Sequence, residues 1–68
     1  MEISARNQLK GTVKDVTLGA VMAEVTLDIG NGLQIVSVIT KASVERLGLK
    51  PGVEATAIIK SSEVMLAR

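Results

Sequence analysis

Period-two alternation of apolar and polar side chains dominates this chain, and it is cleanest between Val21 and Ile29. There Val21, Ala23, Val25, Leu27 and Ile29 fall on one face, and Met22, Glu24, Thr26 and Asp28 on the other. Successive side chains of a strand point to opposite sides of a sheet, so the pattern predicts a strand with one buried face. Gly30, Asn31 and Gly32 follow, residues that adopt positive φ at little cost, and extended character resumes from Leu33 to Thr40. The pair reads as a β-hairpin. In its second arm Ile35, Val36, Val38 and Ile39 make both faces apolar, which in so small a chain points to contact with another subunit.

Upstream, Gln8 to Leu18 reads as a first strand. Leu9 and Val13 share a parity that Val16 and Leu18 break, so a bulge or bend is predicted near Lys14 and Asp15, before Gly19 and Ala20 turn the chain. Downstream, alternation gives way between Lys41 and Leu47 to a three-residue spacing of Val44 and Leu47. Thr40 or Ser43 is placed to cap, Arg46 lies near the end, and Gly48 suits a left-handed stop, so a helix of about two turns is predicted. Pro51 and Gly52 mark a turn. Val53, Ala55, Ala57 and Ile59 then alternate with Glu54, Thr56, Ile58 and Lys60, and Val64 to Ala67 reads as a last short strand after Ser61 and Ser62. The expected fold is all-β with one short helix: five strands, the helix between the third and fourth, in the order of a small OB-type barrel. Its exposed edges invite pairing with another chain, and the residues before the first strand are placed to complete a neighbour.

The 68 residues allow one domain, 1–68, and a domain of this size hides only about 60% of the surface its unfolded chain exposes. Small domains are commonly stapled by disulfides, a structural metal or association. The sequence has no cysteine and no histidine, which leaves association, and an apolar fraction of 47% gives surplus apolar surface for it. A formal net charge of +1 lacks the basic excess of a non-specific nucleic-acid binder. No apolar run reaches the ~18 residues of a membrane span, and no basic stretch precedes an apolar core at the start, so neither insertion nor secretion is expected and the cytoplasm is the default.

Chemistry is bounded as firmly. Without histidine or cysteine, histidine-assisted nucleophilic catalysis, thiolate and imidazole metal sites and redox thiols are all excluded. The seven acidic residues are scattered over polar faces and turns and read as solvated surface, so no enzyme is expected and no metal ligated directly by side chains. Bases of single-stranded nucleic acid stack on aromatic side chains, and the chain has no Phe, Tyr or Trp. What it does have are two places where a cation adjoins small hydroxyls: Ser4, Ala5, Arg6 near the start, and Lys60, Ser61, Ser62 after a strand, with Thr40 at the end of another. Such a set can grip an oxyanion through charge-assisted hydrogen bonds, with hydroxyls and backbone N–H groups completing a shell of donors.

The run Ser4, Ala5, Arg6, Asn7, Gln8, Leu9, Lys10, Gly11 resembles the opening motif of the molbindins, molybdate-binding proteins built from a Mop-type domain of the TOBE family. The segments Ile39 to Gly48 and Ile58 to Met65 resemble that family's helix and last-strand regions, so the likeness spans the chain. It implies an OB-type barrel that exchanges strands into dimers, three of which form a homohexamer, with oxyanion sites between subunits. Carried over, the main site would use Ser4, Ala5 and Arg6 of one subunit and Thr40, Lys60 and Ser61 of another, with a second site near Gly19, Ala20 and Val21. The implied ligand is molybdate or tungstate, with no cofactor, nucleic acid or membrane, and the implied role is intracellular molybdenum storage or homeostasis. The alternative is an oligomeric adaptor of the same build that recognises a protein or a nucleic acid.

Overall fold

The alternation from Met22 onward becomes a strand whose inward residues form the centre of the molecule. In the computed structural model, which describes residues 2–68, Ala23, Val25 and Leu27 are buried and the residues between them face outward or are half-buried. The elements in chain order are β1 (Asn7–Leu18), β2 (Met22–Gly30), β3 (Leu33–Thr40), α1 (Lys41–Leu47) and β4 (Glu54–Ile59), followed by one turn of 3-10 helix at Ser61–Glu63. The strands form one antiparallel sheet in the order β3-β2-β1-β4.

β1 serves two neighbours in succession. From Asn7 to Thr12 it pairs with β4, and from Thr12 to Leu18 with β2, which curls the sheet into a half-barrel. At Gly11, beside the change of partner, a Cβ would stand 2.5 Å from the Asp28 carbonyl oxygen and 2.9 Å from Leu27 Cγ, so only glycine allows the approach. The predicted bulge is present: Val13 faces Leu27 and Asp15 faces Thr26, leaving Lys14 as the extra residue. The bulge resets the parity, and Val13 and Val16 both pack in the core although they are three apart. In the β2–β3 hairpin Asn31 and Gly32 have φ of 54° and 74°, the consecutive positive values of a primed turn, and Asp28 Oδ1 accepts the Gly30 N–H at 2.8 Å.

α1 lies against the concave face and contributes Val44 to the cluster of Val13, Ala23, Val25 and Leu27. Its limits follow from its caps. Thr40 accepts the Ser43 N–H at its side chain, and Gly48 takes a left-handed conformation, φ 65°, donating to Glu45 O while Leu49 donates to Val44 O at 3.0 Å. That is a Schellman closure.

Two expectations change. Among the described residues there are four strands, not five: Val64 to Ala67 leaves the 3-10 turn without a ladder partner, and Met65 and Leu66 are each 93% exposed. Val21 begins the alternation in sequence but sits in the turn before β2, 69% exposed, and its carbonyl accepts the Lys41 N–H where α1 starts. β3 is apolar on both faces as read, with Ile35 and Ile39 packed on the core and Val36 and Val38 open on the outer face. The accessible surface, 5556 Å², exceeds the roughly 4,100 Å² of a typical folded monomer of 7.1 kDa. The radius of gyration, 12.5 Å, likewise exceeds about 11 Å for a compact chain of this length.

Candidate functional site

The β1–β4 ladder decides which donor segments meet. Its last pair is Asn7 with Ile59, so the antiparallel register carries the Ser4–Arg6 arm and the Lys60–Ser61 strand end to the same end of the sheet. Two side-chain amides fasten this rim. Asn7 Nδ2 donates to the Ile59 carbonyl at 3.2 Å, linking the arm to the end of β4, and Gln8 Nε2 donates to the Ala5 carbonyl at 2.9 Å, folding the arm back on itself. Asn7 and Gln8 belong to the Ser4–Gly11 run, where the sequence assigned them no task; their positions just inside a ladder end are the signal that they tie it.

Ser4, Arg6, Lys60 and Ser61 are exposed, and Ala5 is half-buried. Lys60 precedes the 3-10 turn and Ser61 begins it, with Glu63 closing the turn. Two cations and two hydroxyls thus share one rim, with Glu2 and Glu63 as flanking acids in the sequence. An anion held here by one chain alone would remain largely hydrated, and its bonds to Arg6 and Lys60 would be weakened by the high dielectric of water. The arrangement gains strength when another surface covers it.

Thr40 is not at this rim. It pairs with Met22 at the opposite end of the sheet, separated from Asn7 by the length of β1, about 35 Å along the strand at about 3.3 Å per residue. One chain therefore places Ser4, Ala5 and Arg6 at the same end of the sheet as Lys60 and Ser61, and Thr40 at the other end. The Thr40 hydroxyl is also engaged, bonding Ser43 Oγ at 2.8 Å and the Ser43 N–H at 3.0 Å. Thr40 instead neighbours the second predicted location. A shallow depression of about 500 Å³ is lined there by Ala20, Val21, Thr40, Lys41, Ala42 and Glu45. Within the Gly19 to Val21 turn the Gly19 N–H is spent on the Met22 carbonyl at 2.8 Å, so Gly19 offers that location no backbone donor.

Among the described residues no three carboxylates gather in a form that would hold a metal ion, and no helix is long and apolar enough to cross a membrane. A curled antiparallel sheet with one short helix on its concave side and a donor-bearing rim defines a small ligand-binding β-domain. The family model described as the TOBE domain matches residues 3–66, and the chain belongs to that family, in its Mop type. The molybdenum-pterin-binding protein 1 of Clostridium pasteurianum is 54% identical over 66 residues, 97% of this chain and 97% of that protein. A molybdate-binding protein from Sporomusa ovata has a TM-score of 0.93 at 41% identity, covering 100% of both chains. The cytoplasmic molybdate-binding protein ModG, solved with molybdate bound, has a TM-score of 0.92 at 54% identity over 96% of this chain and 46% of its own.

Proposed function

We propose that this chain binds molybdate, and tungstate with little discrimination, at sites between copies of itself, and so holds molybdenum in the cytoplasm without transforming it. The observation that carries the reading is the register that brings Arg6 and Lys60, with the Ser4 and Ser61 hydroxyls, to one rim. Relatives named for molybdenum-pterin or molybdate binding match nearly the whole chain, which supports the choice of anion.

In the proposed main site Ser4, Ala5, Arg6, Lys60 and Ser61 face a neighbouring copy, whose Thr40 end completes the shell. The resemblance groups Thr40 with Lys60 and Ser61 on one subunit; in the proposed site Thr40 comes from the neighbouring copy instead, because the Met22–Thr40 and Asn7–Ile59 pairs lie at opposite ends of one chain's sheet. The turn around Ala20 and Val21, beside Thr40, is the proposed second location. The assembly is a homo-oligomer, three dimers in a hexamer, in which the segment from Val64 to Ala67 adds a fifth strand to a neighbour's sheet. The exposed Met65 and Leu66 and the two unpaired sheet edges, β3 and β4, support that exchange. Sulfate is smaller than molybdate, so donors spaced for the larger anion would make longer bonds to it.

Calorimetric titration of the intact protein with molybdate and with sulfate tests the reading. Molybdate is expected to release heat to saturation and to bind more tightly than sulfate. No heat with molybdate, or equal affinities, contradicts it.

A further inference from the structure

We infer that Glu63 is an internal competitor at the rim: its carboxylate, tethered one turn from Lys60, opposes an incoming oxyanion and holds the affinity of the site below what Arg6 and Lys60 alone would give. The inference rests on the site proposed above and concerns how tightly that site holds its anion. The Glu63 N–H donates to the Lys60 carbonyl at 2.9 Å and the Val64 N–H to the Ser61 carbonyl at 3.4 Å, so the chain after β4 is wound into one 3-10 turn from Ser61 to Glu63. A backbone bond from residue i+3 back to residue i closes a turn whose end Cα atoms lie within about 7 Å. The backbone therefore keeps Glu63 beside Lys60. Lys60, Ser61 and Glu63 are all exposed, so an anion at the rim meets the acid as well as the donors.

Two physical routes give the same sign. Where the carboxylate approaches the Lys60 ammonium, an oxyanion has to displace it, and a tethered group competes at high effective concentration. Where it stands away, its charge still repels a dianion: at about 7 Å in water the repulsion amounts to roughly a sevenfold loss of affinity, and more where a second copy excludes water. In the sequence Glu63 is one of seven scattered acids, and only the turn ties it to a donor segment. Glu54 supplies the contrast. It faces Thr12 at the far end of the β1–β4 ladder, about 17 Å from Ile59 at about 3.3 Å per residue, where its charge has little effect on the rim.

The test is calorimetric titration of the intact oligomer with molybdate, at low ionic strength, for the wild-type protein, Glu63→Gln, Glu63→Asp and Glu54→Gln. Glu63 is exposed and its turn is held by backbone bonds, so these changes leave the fold in place. Glu63→Gln is expected to bind molybdate about three- to tenfold more tightly. Glu63→Asp, which keeps the charge, and Glu54→Gln, which removes a charge far from the rim, are expected to stay within about twofold of wild type. Unchanged or weaker binding by Glu63→Gln overturns the inference. An equal gain in Glu54→Gln, which would assign the effect to net charge, or in Glu63→Asp, which would assign it to side-chain length, overturns it too. Failure of the wild-type protein to bind molybdate is a separate outcome: it overturns the proposed function and this inference with it.

Discussion

At Gly11 the curvature of the sheet depends on a missing methyl group. The clash an alanine would make is with the backbone carbonyl of Asp28, which cannot swing aside as a side chain could. Gly11→Ala is therefore expected to lower unfolding free energy by about 1–3 kcal/mol, the usual cost of overpacking, in urea denaturation; a neutral result would place the bend elsewhere. The need for glycine is invisible in the sequence, because it arises from β1 passing beside Asp28, 17 positions away along the chain. Lys14 is the opposite case. Its bulge was legible because a local break in parity between Val13 and Val16 has few other physical explanations. For Thr40 the hydroxyl was recognised both as a cap and as an anion donor, and in one chain it does the first.

Elements whose ends carry their own signals were the most readable. α1 runs from Lys41 to Leu47 as its caps dictate, and the hairpin turns at Asn31 and Gly32 because both accept positive φ. Thr40→Ala is expected to cost about 1 kcal/mol through loss of the cap to the Ser43 N–H, while Thr40→Ser retains most of it. Thermal unfolding followed by circular dichroism measures the difference, and equal stability of the three proteins would mean that the cap contributes nothing. The segment from Val64 to Ala67 shows the limit of such reading. Its residues suit a strand, but a strand exists only with a partner, and the fold of one chain does not provide one. The same limit applies to the site: cation and hydroxyls were visible as two separate motifs, whereas the grouping of Arg6 with Lys60, and the separation of both from Thr40, depend on the register of β1 with β4 and on the length of β1.

For the whole molecule the surface is the decisive quantity. Among the described residues five are buried, while Leu33, Val36, Val38, Val64, Met65 and Leu66 are among the exposed apolar side chains. The excess of roughly 1,500 Å² over a typical monomer of this mass is of the order that stable protein contacts bury. Light scattering after size exclusion is expected to give about six times the 7.1 kDa chain mass; a stable monomer would contradict both the stability argument and the shared site. The most direct test combines assembly and chemistry in one variant, Arg6→Ala, titrated with molybdate by calorimetry after its mass has been checked by light scattering. Loss of one charge-assisted donor should weaken binding by about 10- to 100-fold with the oligomer intact. Wild-type affinity in Arg6→Ala, or its dissociation into monomers, would contradict the account of Arg6 as half of an anion site shared between subunits.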